Sequence, residues 1–117
     1  MRICRAYTLE SSHQLTGVPP THKCSRLHGH QYRVVLTIEG PVDPVSGFVI
    51  DFWELDRAFA PLHEQLDHHH LNDVPGLGNP TAELIATWIG ERLAIPGLRR
   101  VTVYETPDCW AEWDSPA

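Results

Sequence analysis

Between residues 30 and 39 the chain alternates: Tyr32, Val34, Leu36 and Ile38 fall on one parity, and Arg33, Thr37 and Glu39 on the other. Successive side chains of an extended strand point to opposite faces, so this stretch carries one face for a core and one for solvent. Other elements must cover the apolar face. The entry to the strand adds a second constraint. His28 and His30 share the parity of Tyr32 and Val34. Two imidazoles therefore face the buried side and, being two residues apart, point the same way.

The remaining elements follow from similar patterns. Residues 2–14 look extended, with Ile3, Tyr7, Leu9, Ser11 and His13 on one parity and Arg5 breaking it. Residues 15–27 form a loop marked by Gly17, Pro19, Pro20 and a polar run from Thr21 to Ser25. A turn region spans Gly40 to Gly47. Asp51 is placed to cap a helix, with Glu54 as its reciprocal partner. Phe52, Leu55, Phe59, Leu62 and Leu66 then recur at helical steps. Pro61 within this run predicts a kink or break. After a second loop over 67–78, Asn79 and Pro80 read as N-cap and first residue of another helix. Its apolar stripe is Leu84, Ile85, Trp88, Ile89 and Leu93, and Pro96-Gly97 ends it. Residues 99–106 alternate again, with Val101 and Val103 on one face, and a short last strand carries Trp110 to Trp113. The order ββααββ predicts an α+β fold: an antiparallel four-stranded sheet with two helices on one face. With no linker or repeat, residues 1–117 read as a single domain.

Composition narrows the function. The formal net charge is −6, Lys23 is the only lysine, and the arginines are dispersed. A nucleic-acid protein would show a basic stripe, so nucleic acid is not the expected partner. No apolar run suits a membrane span, and the N-terminal Met-Arg-Ile-Cys-Arg lacks the apolar stretch of a secretion signal, so no membrane partner and a cytoplasmic location are expected. Cys4, Cys24 and Cys109 form no C-x-x-C pair, which argues against a disulfide framework and a zinc ribbon. The anomaly is histidine, present eight times.

His13 ends the first extended stretch on its apolar parity. If that stretch pairs with the strand after residue 28, His13, His28 and His30 converge, and three nitrogens with an open fourth position define a catalytic zinc site. Alone, His13 would read as a hydrogen-bonded core residue; His22, in the loop, reads as solvated. Cys24 lies in a polar loop beside Lys23 and near Arg26, and neighbouring cations favour the thiolate. A zinc-ligating or inert surface thiol is the alternative, and packing is the reading for Cys4 and Cys109. Asp67 precedes His68, an arrangement that can raise an imidazole's basicity, although neighbours in a loop are expected to meet only indirectly. An exposed His-rich turn is the alternative. Glu105 shares the parity of Val101 and Val103. A carboxylate on a buried face is costly unless paired, and a ligand offering two adjacent N–H donors would pair it. Fraying of the strand is the alternative.

Together these residues resemble the 6-pyruvoyl-tetrahydropterin synthase family over nearly the whole chain. The resemblance rests on Ser-Ser-His13-Gln-Leu, His-Lys-Cys24-Ser-Arg-Leu-His28-Gly-His30-Gln-Tyr, Gly47-Phe-Val-Ile-Asp51-Phe, Leu-Asp67-His68-His-His-Leu-Asn72, Pro80-Thr81-Ala-Glu83 and Glu105-Thr106. The short C-x-x-x-H-G-H spacing is similar to the queuosine-pathway branch. The resemblance implies the tunnelling fold (T-fold), with subunits assembling as a homohexamer, a dimer of trimers, and active sites between subunits. It implies conversion of 7,8-dihydroneopterin triphosphate and water to 6-carboxy-5,6,7,8-tetrahydropterin, acetaldehyde and triphosphate. In this chain His13, His28 and His30 would hold zinc, Cys24 would move protons with Asp67 and His68, and Glu105 would anchor the pterin with Thr81 assisting. Lys23 and Arg26 are candidates for the triphosphate, or are ordinary solvated charges. The Trp110-Ala-Glu-Trp113 segment departs from the expected family pattern. Rival readings are a 6-pyruvoyl-tetrahydropterin synthase or another pterin side-chain lyase, a non-catalytic metal-binding module, and a structural subunit of a ring.

Overall fold

A computed structural model describes residues 1–116. Strands β1 (Arg2–His13) and β2 (His28–Glu39) are followed by helices α1 (Phe52–Leu66) and α2 (Ala82–Arg92), then strands β3 (Leu98–Thr106) and β4 (Cys109–Asp114). Single 3-10 turns occur at Lys23–Ser25 and Leu71–Asp73. The sheet runs β1-β2-β3-β4 with every neighbour antiparallel. The expected α+β order ββααββ is the order observed.

The alternation works as the sequence predicts. Leu9, Tyr32, Val34, Leu36, Val101 and Val103 are fully buried on one face of the sheet. Leu55, Phe59 and Leu66 of α1 and Ile85 and Ile89 of α2 meet them in one core. Each such side chain contributes about 1.5–3 kcal/mol by leaving water. Arg5, the exception in β1, reaches α1: its Nε donates to Asp56 Oδ1 at 3.0 Å, and its guanidinium lies 4.5 Å from the centre of the Tyr7 ring. Tyr7 donates its hydroxyl to the same carboxylate at 2.6 Å. The ion pair is part-exposed, so its contribution stays within about 1 kcal/mol.

Four local expectations change. Helix α2 starts at Ala82 and not at Pro80. Thr81 is the cap, its hydroxyl accepting from the Leu84 N–H at 3.2 Å. The Asn79 amide instead ties the loop at Thr16, accepting from its N–H and donating to its carbonyl, both at 2.9 Å. Pro61 does not break α1, which runs through to Leu66. It lies on the exposed face, where solvent can serve the carbonyl its missing N–H leaves free. Asp51 does cap α1, accepting from the Trp53 N–H at 3.0 Å, but no return bond from the Glu54 side chain forms among the described residues. Phe52 and Leu84, placed on the apolar stripes by period, are 46% and 41% exposed and stay outside the core.

The edge of β1 is covered locally. Glu10 donates its N–H to Asp67 Oδ1 at 2.9 Å, and its carbonyl accepts from the His68 N–H at 2.7 Å. Ser12 donates its N–H to the His69 carbonyl at 3.2 Å. The segment after α1 therefore lies against the same end of β1 that carries His13.

Candidate metal centre

Strand register brings the three histidines together. His13 and His28 are direct partners across β1 and β2, and His30 follows His28 on the same face. One ring nitrogen from each lies within 4.8 Å of the others. His13 is fully buried. Its Nδ1 lies 2.8 Å from the Pro80 carbonyl, and His28 Nδ1 lies 2.6 Å from the Arg26 carbonyl. A carbonyl only accepts, so each Nδ1 carries the proton and each Nε2 is left with its lone pair. Those two Nε2 atoms stand 2.8 Å apart. His30 Nε2 is buried with no hydrogen-bond partner. Lone pairs facing one another this closely are stabilised by a cation between them, and carbonyls fixing the tautomer from behind are usual around ligating imidazoles. The donor set fits a metal ion bound by three nitrogens with a fourth position open.

Electrostatics favour the ligating form. Burial pushes His13 below the ordinary histidine range, opposed by the Pro80 bond and reinforced by His28 and His30. Burial lowers His30 as well, against the pull of Glu105. Neutral imidazole is the form that binds metal. The Tyr32 hydroxyl, 3.0 Å from His13 Nδ1, lies in the same buried layer and is pushed upward by burial and then by the Glu105 charge.

Glu105 does not fray away. It lies within β3 at a register shift between Tyr104 and Thr106. Its Oε1 is 3.6 Å from His13 Nε2 and 3.5 Å from His30 Nε2. The buried-face carboxylate thus has imidazoles beside it before any ligand arrives. It also forms a wall shared by two cavities. One, of about 490 Å³, includes His30, Arg33 and Tyr104; the other, of about 440 Å³, includes Glu83, Cys109 and Trp110. Sequence reasoning misses Glu83 as a residue of this region. Its only signal is its place in the Pro80-Thr81-Ala-Glu83 motif.

Cys24 sits half-buried in the 3-10 turn before β2. Its carbonyl accepts from the Leu15 N–H at 2.9 Å, which holds the turn beside the chain leaving His13. His22 is exposed, as expected, but it also braces this turn, because its Nδ1 accepts from the Cys24 N–H at 3.0 Å. Lys23 and Arg26 are exposed, and Arg26 faces the centre through its carbonyl. Thr81 lies next to Pro80, with its hydroxyl engaged as the helix cap.

Asp67 and His68 meet directly, contrary to the expectation of indirect contact. His68 Nδ1 is 2.9 Å from Asp67 Oδ2. The reason is backbone conformation: His68 has φ 56, in the left-handed region, which turns the ring back over its predecessor. The bond and charge of Asp67 raise the His68 pKa. Partial burial lifts Asp67, yet the Glu10 N–H and His68 hold it below the usual carboxylate range. His68 Nε2 lies 3.7 Å from the Glu10 carboxylate on the exposed face of β1, whereas His13 projects from the core face. Among the described residues, no hydrogen bond or ion pair joins this pair to the three histidines. A cavity of about 520 Å³ lined by Tyr7, Asp56, His63, Asp67 and His68 adjoins the pair.

Comparison with known proteins shows likeness over nearly the whole chain. The profile of the family described as 6-pyruvoyl tetrahydropterin synthase matches residues 2–116. The chain is similar to the 6-carboxy-5,6,7,8-tetrahydropterin synthase of Synechocystis, 39% identical over 97% of this chain and 93% of that one. It is also similar to the 6-pyruvoyl tetrahydrobiopterin synthase of Homo sapiens, 36% identical over 68% of this chain and 60% of that one. Among solved structures, the 6-pyruvoyl tetrahydropterin synthase of Caenorhabditis elegans superposes with a TM-score of 0.90 at 25% identity, covering 98% of this chain and 95% of that one.

Proposed function

The chain belongs to the 6-pyruvoyl tetrahydropterin synthase family, and from that premise we propose that it converts 7,8-dihydroneopterin triphosphate and water to 6-carboxy-5,6,7,8-tetrahydropterin, acetaldehyde and triphosphate, serving queuosine biosynthesis. The observation that carries the reading is the convergence of the His13, His28 and His30 ring nitrogens, with carbonyls fixing the tautomers of His13 and His28. Similarity to the Synechocystis relative supports the carboxy branch of the family.

His13, His28 and His30 would hold zinc, which when bound supplies Lewis-acid polarisation of a substrate side-chain oxygen. The other steps belong to the protein. Cys24 accepts and returns a proton at its Sγ, beside the metal end of the sheet. His68 holds a proton at a ring nitrogen, made more basic by Asp67. Glu105 offers both carboxylate oxygens to the N–H edge of the pterin ring, beside the cavity that contains Glu83. Thr81 shapes that end through the start of α2, and Lys23 and Arg26 are exposed cations that would attract a triphosphate tail.

Asp67 lies at the edge of β1 and His68 reaches the exposed Glu10 side chain, whereas His13 projects from the core face. We propose that a complete site takes its metal and Cys24 from one chain and Asp67–His68 from a second copy, in a homohexamer. The deciding experiment incubates the zinc-loaded protein with dihydroneopterin triphosphate and identifies products by mass. Acetaldehyde and the carboxypterin are expected. A 6-pyruvoyl product would move the chain to the sister activity, and no turnover at all would leave a metal-binding module.

A further inference from the structure

As a pterin anchor Glu105 has a single role, but its carboxylate already faces the histidines. Oε1 lies 3.6 Å from His13 Nε2 and 3.5 Å from His30 Nε2. Four ligands at about 2.0–2.1 Å around a tetrahedral zinc stand about 3.3–3.4 Å from one another. Two of the three spacings between a fourth ligand and the imidazoles are therefore present to within a few tenths of an ångström. The geometry points to Glu105 as the fourth ligand of the substrate-free metal centre, a carboxylate that leaves the metal when it takes up the N–H groups of a pterin.

The strand is built to allow that movement. The shift of register pairs Tyr104 with Trp110 and Thr106 with Cys109, leaving Glu105 without a partner on β4. Its side chain keeps 30% of its exposure. Glu105 lies outside the group in which every donor atom is within 4.8 Å of every other, so closing the fourth position draws it toward His28. A residue free of a cross-strand partner can make that adjustment at little cost in pairing. The charge also favours ligation. Three neutral imidazoles leave a divalent cation with its full charge in a buried site, and a carboxylate halves it.

The position of Glu105 between two cavities supplies the exchange. Rotation of one side chain moves the carboxylate from the wall next to His30 toward the space beside Glu83 and Trp110. A pterin that captures it would open the vacant corner of the metal only when a substrate is seated. Ligation by Glu105 stands independently of the pterin reading; the exchange rests on that reading.

Zinc-edge X-ray absorption and the visible spectrum of the cobalt(II)-substituted protein test both parts without turnover. The wild type is expected to show three nitrogens and one carboxylate oxygen around zinc. Glu105→Gln is expected to bind zinc about 10–100-fold more weakly and to give a different cobalt spectrum. Glu105→Asp, which keeps a carboxylate, should fall between the two, and it serves if the glutamine variant folds poorly. Adding 7,8-dihydroneopterin should shift the cobalt bands of the wild type and leave those of Glu105→Gln in place. Equal affinities and identical metal shells in wild type and Glu105→Gln overturn the ligation. Pterin that binds, as judged by its own fluorescence, without moving the wild-type bands overturns the exchange and leaves the proposed function intact. Pterin that does not bind at all counts against that function instead.

Discussion

Two clusters of histidine sit at the same end of the sheet and are held by different means. His13, His28 and His30 lie on the core face of paired strands, and backbone carbonyls hold His13 and His28 from behind. His68 is 73% exposed and rests on the Asp67 carboxylate at 2.9 Å, the Glu10 carboxylate at 3.7 Å and one left-handed backbone conformation. The first cluster is preorganised by strand register, with the charged forms of His13 and His30 disfavoured by burial. The second is tuned by a local charge that favours its protonated form. Burial favours the neutral imidazole, the form able to ligate a metal, and a neighbouring carboxylate favours the protonated one.

The largest expected effect tests the buried cluster. His28→Ala removes one of the three nitrogens and should weaken zinc binding by at least about 100-fold, measured by competition with a chromophoric chelator. Retained stoichiometric zinc in that variant would break the contrast at its stronger side. Next comes the proposed division of labour between copies. Cys24→Ala and His68→Ala should each lower turnover by about 10²–10⁴-fold while Cys24→Ala keeps its zinc. Mixing the two variants under conditions of subunit exchange should restore part of the activity, because some sites then combine an intact Cys24 with an intact His68. No recovery from a verified mixed oligomer would show that the two clusters work within one chain or not together.

A smaller effect concerns pH. Asp67 raises the His68 pKa, so in the wild type His68 keeps its proton to higher pH than an isolated histidine. Asp67→Asn removes that support, and His68 should lose its proton at lower pH, toward about 6.5. Titration of the ring by NMR is the direct measure, and any limb of the rate profile governed by His68 should move in the acid direction. An unmoved titration would mean that the contact is not made in solution. The smallest effect sorts Thr81. Loss of the helix cap in Thr81→Ala should cost about 1 kcal/mol of stability, and Thr81→Ser should recover it. A raised KM in the serine variant, with stability restored, would add a substrate contact to its capping role.

Much of the metal site is legible in the sequence because period-2 patterns assign faces. Once His13, His28 and His30 fall on buried parities, pairing of the first two strands leaves them few places to go. The carbonyls of Pro80 and Arg26 are not legible, since any residue has a carbonyl and only folding aims it. The cap of α2 escapes local pattern for a related reason. Asn79 before Pro80 and Thr81 before Ala82 are both good helix starts, and the choice goes to Thr81 because the Asn79 amide is used up at Thr16. Pro61 shows the reverse: a strong local breaker is tolerated on the exposed helix face, where water can serve the Arg57 carbonyl it leaves without a donor and the rest of α1 is anchored by Leu55, Phe59, Leu62 and Leu66.

The order of elements, the face of each strand and the three imidazoles on buried parities are consequences of sequence alone, because alternation and helical period are local geometry that burial reads directly. The direct contact of Asp67 with His68, the approach of Glu105 to two histidines, and the separation of His68 from the metal centre were decided by tertiary structure. Each depends on a φ angle, a slipped register or a distant segment lying against a strand edge. These are set by the packing of the whole chain, and no pattern of neighbouring residue types encodes them.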